Sequence, residues 1–297
     1  MKYSPRLVVL PLLLIAGCLN SAESSSSAFE GNWRYTQLTE DNQSTPACRW
    51  FHVITRRYKL DREPSGRYYG AYLREYHVIW LGPTNDCPEP ARLENVLKMS
   101  RIDLWYLSET YRSGSRLNVQ AEYDDCTGAC SSGAPVSRQF RAFLQQKDGM
   151  LIDELQDEEG HYVFIPESEA IAAEHGASES MFKLIEPMYE GECNRFFENS
   201  LDPYVQATAP KAQLCAAIYR LRRLMPPILY HKPLSAIYFT FGRFKRMSDG
   251  KQVEYWGGRD VLVEQHFVVT PEGGQVPIAS VLRRQPDGTW KVLVPTP

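Results

Sequence analysis

The sequence lacks the short motifs that usually announce chemistry. It has no G-x-S-x-G, no H-E-x-x-H, no P-loop and no dinucleotide glycine fingerprint, which removes the enzyme templates those motifs carry. Its six histidines, His52, His77, His161, His175, His231 and His266, are never within five residues of one another. No local histidine metal motif is therefore written, and neither metal nor cofactor is expected. Basic charge is also short: 33 Lys and Arg face 36 Asp and Glu, for a net charge of −3. Nucleic acid, which needs clustered Lys and Arg, is not the expected partner. No later segment approaches the roughly 18 consecutive apolar residues of a spanning helix, and no internal repeat is visible.

What is present begins at the N-terminus. Lys2 and Arg6 precede an apolar run, Leu7 to Ala16, broken only by Pro11. That run is shorter than the roughly 20 residues a bilayer requires and suits the apolar region of a secretory signal. It ends in Leu14-Ile15-Ala16-Gly17-Cys18, which resembles the lipobox of bacterial lipoproteins. The resemblance implies a signal peptide over 1–17 and lipidation of Cys18 by acyl chains such as palmitate. Several chains on one cysteine would hold stably to a membrane. An Asp directly after the cysteine commonly signals inner-membrane retention in that family, and Leu19 stands there instead. The expected location is therefore the bacterial outer membrane, facing the periplasm. Ser21 to Ala28 is small and polar, so 18–28 reads as a flexible tether.

Seven cysteines less the lipidated Cys18 leave six: Cys48, Cys87, Cys126, Cys130, Cys193 and Cys215. An even set in an exported chain points to disulfides, with fifteen pairings open. Splitting the chain into two domains favours Cys48–Cys87, Cys126–Cys130 and Cys193–Cys215. Cys126-Thr-Gly-Ala-Cys130 would be half of a zinc site only with a second close Cys or His pair, and none is present.

From Phe29 to about 165 the texture is of short strands between turns: Trp50–Ile54, Tyr68–Tyr76, Ile102–Leu107, Leu117–Tyr123, Gln139–Gln145 and Tyr162–Ile165. Alternating apolar and polar residues give each strand one wet face. Lys147-Asp148-Gly149-Met150 reads as a hairpin turn. The expectation is an antiparallel barrel or sandwich over 29–165. The opening Gly31-x-Trp33 resembles that of lipocalin-like barrels, which implies a Trp plugging a closed end.

Residues 166–180, PESEAIAAEHGASES, read as a linker with at most a helical turn. Helical character is expected over Ser180–Glu198, interrupted at Gly191, and over Ala209–Leu224, which Pro226-Pro227 stops. Strand-like segments follow at Ala236–Arg246, Gln252–Trp256, Val261–Thr270, Gln275–Gln285 and Thr289–Val294, with turns at 248–251, 271–274 and 286–289. Helices followed by a meander, ending in Asp287-Gly288-x-Trp290-Lys291-Val292, resemble the cone superfamily of nuclear transport factor and ketosteroid isomerase. The resemblance implies an α+β cone with a curved antiparallel sheet over 181–297, and an acidic base in its cavity. Glu254, Asp260 and Glu264 are candidates for that base, and Glu198 and Asp202 are ambiguous. The doublets Arg56-Arg57, Arg222-Arg223 and Arg283-Arg284 read as solvated faces that could also meet lipid head groups.

These features point to a membrane-anchored binding or interaction module with an envelope protein, polymer or lipid partner. Toxin immunity would be a special case. The alternative is an isomerase or hydrolase acting on a small apolar substrate in the cone.

Overall fold

The computed structural model describes residues 28–41, 44, 49–81, 101–128, 130, 137–157, 160–224, 228–245, 252–268 and 275–294. The expected signal peptide, Cys18, nearly all of the tether, Cys48, Cys87, Pro226-Pro227 and the turns at 248–251 and 271–274 lie outside these residues.

Strands β1 (Gly31–Glu40), β2 (Arg49–Arg62), β3 (Tyr68–Leu81), β4 (Arg101–Ser113), β5 (Arg116–Gly128), β6 (Gln139–Lys147), β7 (Met150–Asp157) and β8 (Gly160–Pro166) pair antiparallel in chain order. Trp33 then pairs with Pro166, and Arg34 with Ile165, closing the ring. Closure decides between the two β architectures in favour of a barrel, which leaves these strands no open edge there. Asp148 (φ 52°) and Gly149 (φ 76°) both adopt left-handed backbone in the expected hairpin turn, which suits the right-handed twist of β6 and β7. Alternation fills the lumen with one residue set, including Trp33, Tyr58, Tyr72, Trp105, Leu117, Leu144, Leu151 and Phe164, all buried.

Beyond Thr36 the free edge of β1 changes partner. Gln37, Leu38 and Thr39 pair in parallel with Phe241, Gly242 and Arg243 of β9 (Tyr230–Lys245). The antiparallel strands β10 (Gln252–Val268), β11 (Gln275–Arg284) and β12 (Trp290–Val294) extend the sheet from there, so twelve strands form one continuous sheet. The two segments expected around residue 260 are one strand, β10, with a register shift between Trp256 and Asp260. Gly257 and Gly258 fall in that irregular stretch, as isolated strand glycines often do.

Residues 166–180, expected to hold at most a helical turn, are almost wholly helical. They end β8 and form the first half of α1 (Glu167–Glu190), whose buried residues include Ala170, Ala173, Ala177, Met181, Ile185 and Met188. The spacing of three and four makes a helical stripe, and alanine is the best helix former. Gly191 caps α1 at φ 80°, which explains the expected interruption there. A short α2 (Cys193–Arg195) continues into a π turn over Phe196–Ser200, followed by α3 (Pro203–Thr208) and α4 (Lys211–Leu224). Cys193 is bonded to Cys215, joining α2 to α4 across a Cα–Cα distance of 5.2 Å.

The helices pack on one face of β9–β12, against Tyr238, Val261, Val263, Leu282 and Val292. The other face packs on the outer wall of the barrel, where Phe239, Phe244, Leu262 and Val281 meet Leu38, Phe51 and Val53. Polar groups tie the layers together. Arg34 of the barrel pairs with Glu174 of α1 at 2.6 Å, and Glu174 also accepts the Tyr238 amide at 2.9 Å. Thr240 donates to the Thr36 carbonyl at 3.1 Å. Arg57 bridges Glu75 and Glu167. His77 and Arg57 together hold the Glu75 carboxyl down at about 2.

Candidate functional site

The two ends of the barrel differ. One is made of short turns at 63–67, 114–115 and 148–149, and Phe29 and Trp33 fill it. The Trp33 indole donates to the Phe29 carbonyl at 2.9 Å. Connections 41–48, 82–100, 129–138 and 158–159 depart from the other end. Cys126, near the end of β5, is bonded to Cys130 there, with a Cα–Cα distance of 5.9 Å.

Cross-strand registers arrange the lumen in rows. In the deeper row Trp33, Tyr58, Tyr72 and Trp105 stand opposite one another in turn. Tyr72 and Trp105 both pack edge-on against Phe140. The Tyr58 hydroxyl donates to Asp153 at 2.6 Å, with both residues fully enclosed. The next row, toward the long connections, runs Tyr35, Arg56, Arg74, Asp103. Above it stand Ile54, Tyr76 and Arg101. At the rim His52 sits between Asp41, at 2.7 Å, and the Tyr76 hydroxyl, at 2.6 Å.

The Arg56 guanidinium lies 4.1 Å from the Tyr162 ring centre and 5.4 Å from that of Tyr35, and it donates to the Tyr162 hydroxyl at 3.0 Å. Its Nη1 is buried and has no hydrogen-bond partner. Asp103 is held by Arg101, whose Nε lies 2.9 Å from both carboxylate oxygens. Burial, and then the Asp153 charge, push the Tyr58 hydroxyl pKa well up. Burial raises Tyr72 to about 12, although Arg56 and Arg74 act on it in the opposite direction.

The residues singled out from the sequence do not converge here. Asp260 is buried, and Arg283 grips it through two hydrogen bonds of 2.7 and 2.8 Å. Burial raises its pKa while Arg283 lowers it. Asp202 caps α3 through the Tyr204 amide and accepts from Gln285. Glu198 is exposed and pairs with Lys211. Glu254 and Glu264 lie on β10, opposite Arg243 and Ser235, and their side chains are outside the described part. Arg222, Arg223 and Arg284 are exposed, as expected of solvated positions, and Arg57 is half-buried in the layer contact. Arg56 departs from that expectation by facing the lumen. The available signal was its place two residues from Tyr58 on the same strand face. Among the described residues no cluster of His, Cys, Asp and Glu could hold a metal ion. No described helix is long and apolar enough to cross a membrane. A separate groove of about 310 Å³ lies between α1 and the final hairpin, lined by Glu169, Ala173, Tyr238, Arg284 and Trp290.

Compared with known proteins, the chain matches no family model, no curated protein and no solved structure.

Proposed function

We infer that the chain is a non-enzymatic binding protein of the bacterial envelope, held at the outer membrane by lipid on Cys18 and presenting its barrel to the periplasm. One observation carries the binding reading. The barrel is plugged at one end, and toward the end with the long connections its lumen turns from apolar to charged and aromatic. Small-ligand sites combine apolar walls with a few placed polar groups in this way, and they occupy the mouths of barrels. The lipobox-like Leu14–Cys18 segment and the paired cysteines support export. A protein or polymer partner, including a toxin to be neutralised, would meet the same end of the barrel. The cone resemblance of 181–297 rests on the order helices-then-meander and on the final Asp-Gly hairpin. Its enzymatic version is disfavoured because Asp260 is locked to Arg283, and because side chains of α1 fill the helix-facing side of the sheet.

The test is native mass spectrometry of the protein purified from its own membrane. A co-purifying molecule and a diacylated or triacylated Cys18 are expected. A protein with a free N-terminus beyond Cys18 would refute the anchor, and one carrying no bound molecule or partner at good yield would refute the binding role.

A further inference from the structure

Arg56 and Arg74 face each other across β2 and β3 on the lumen side. Directly opposed residues place their Cβ atoms about 5 Å apart, where like charges destabilise a sheet. Neither guanidinium has a carboxylate partner among the described residues. Asp103, on the far side of Arg74, is engaged by Arg101. Asp153, opposite Tyr162 in register, receives the Tyr58 hydroxyl. Asp41 stands at the rim with His52. Among the described residues, Arg56 and Arg74 are thus directly opposed on the lumen face with no ion pair of their own. Arg56 Nη1 is also buried without an acceptor. A buried cationic donor left unmet costs more than an ordinary missing hydrogen bond. Two like charges side by side and one orphaned guanidinium nitrogen have the same remedy, an anion between them.

We propose that the Arg56–Arg74 pair is an anion-binding site that takes the carboxylate or phosphate group of a ligand entering from the long-connection end of the barrel. Arginine presents a planar fork that matches both groups bidentately. The rings of Tyr35 and Tyr162 already fix the Arg56 plane, so little side-chain freedom is lost on binding. Rings of Tyr58, Tyr72, Trp105 and Phe140 fill the space beneath the row. The anion is therefore the deepest part of the ligand, and its body points toward the connections. This assignment names the ligand class of the binding protein inferred above and rests on that reading.

The experiment uses the full mature chain with three probes: inorganic phosphate, decanoate and uncharged decanol. Calorimetric titration and thermal unfolding are measured for wild type, Arg74→Gln and Arg56→Lys, with near-ultraviolet circular dichroism as the check on folding. Wild type is expected to bind at least one anion and to gain melting temperature from it. Arg74→Gln should lose about tenfold or more of that affinity, the loss typical of one charge-assisted hydrogen bond. Without ligand, Arg74→Gln should melt no lower than wild type, because removing Arg74 relieves repulsion, whereas a purely structural Arg74 would lower it. Arg56→Lys keeps the charge but loses the fork and should bind more weakly than wild type. Binding of phosphate alone identifies a phosphate head, and binding of decanoate alone a carboxylate. Equal anion affinity in wild type and Arg74→Gln overturns the assignment. So does a wild type that binds decanol, or carries an uncharged native ligand, while ignoring both anions; in that case the binding role survives without the anion site. Failure of all three probes, with nothing co-purifying, removes both.

Discussion

At Gly70 the wall of the barrel leaves no space for a side chain. A Cβ built there would stand 1.8 Å from the Lys59 carbonyl oxygen on the neighbouring strand. Backbone cannot swing aside as the tip of a flexible side chain can, so the strands must separate. Gly70→Ala is expected to cost about 3 kcal/mol, the upper range for overpacking, read as a fall in the urea midpoint at unchanged m-value. An unchanged midpoint would mean that β2 and β3 are not in this register. The lumen tyrosines give a second test at the same scale. The folded pKa of Tyr72 is raised to about 12, and that of Tyr58 is also raised. The folded state therefore holds these protons where the unfolded chain, ionising near 10, has released them. The associated stability is complete below about pH 10 and is lost as pH rises through 12. Absorbance at 295 nm should show a first group of tyrosines ionising without Tyr58 and Tyr72. A later group should ionise together with loss of the far-ultraviolet dichroism. Ionisation of Tyr58 and Tyr72 together with the first group, with the fold intact, would contradict the closed lumen.

Elements differed in how clearly the sequence announced them. The strands of the barrel were readable because Tyr, Trp, Leu and Val alternate with polar residues and turns such as Asp148-Gly149 punctuate them. The first half of α1 was not, because its buried stripe is built from Ala170, Ala173 and Ala177. Alanine carries no hydrophobic contrast with the Ser and Glu around it, so only the spacing could have shown the helix. The interior faces of β2 and β3 were hidden for a different reason. Both faces of β2 are covered, one by the lumen and one by the C-terminal sheet. The Arg56-Arg57 doublet therefore looked like a wet face, although Arg56 faces the lumen and Arg57 pairs with Glu75 and Glu167. Sequence distance also concealed the row that brings Arg56, Arg74 and Asp103 together, since register is set by whole hairpins. At the other end of the chain the Cys193–Cys215 bond clasps α2 to α4. Closing a loop of that length stabilises by about 3 kcal/mol on the chain-entropy account. Changing both cysteines to serine should lower the melting temperature accordingly while leaving the tyrosine titration of the barrel unchanged. An unchanged melting temperature would mean that the pair is not bonded in solution.

For the whole molecule, composition and architecture make opposite forecasts about residues 166–180. A run rich in Ala, Ser and Glu between a strand-rich and a helix-rich region suggests an exposed hinge, where protease cuts first and two fragments survive. The structure gives the same residues a regular helix with one side buried. Three features cross what would be the seam. Strand β1 gives half of its edge to β8 and half to β9. Phe241 of β9 is buried among the lumen residues of the barrel. The face of β9–β12 turned away from the helices is covered by Leu38, Phe51 and Val53 of the barrel wall. Cutting the chain at the seam would expose that apolar layer, break the Arg34–Glu174 ion pair and leave β1 with an open edge. Each is a destabilisation that neither fragment can repair alone. The expected outcome is one calorimetric transition with matching van't Hoff and calorimetric enthalpies, and no early cleavage within 166–180 under brief proteolysis. Expressed separately, residues 29–165 should bind a hydrophobic dye and resist refolding, because the layer that Phe239, Phe244, Leu262 and Val281 normally cover is bare. Two resolved transitions, together with stable fragments near 29–165 and 181–297, would show instead that the barrel closes without its neighbour and that the shared edge of β1 contributes little. A lumen site that survives in the isolated barrel would then need nothing from the C-terminal sheet, whereas the continuous sheet implies that Phe241 and the lumen act together.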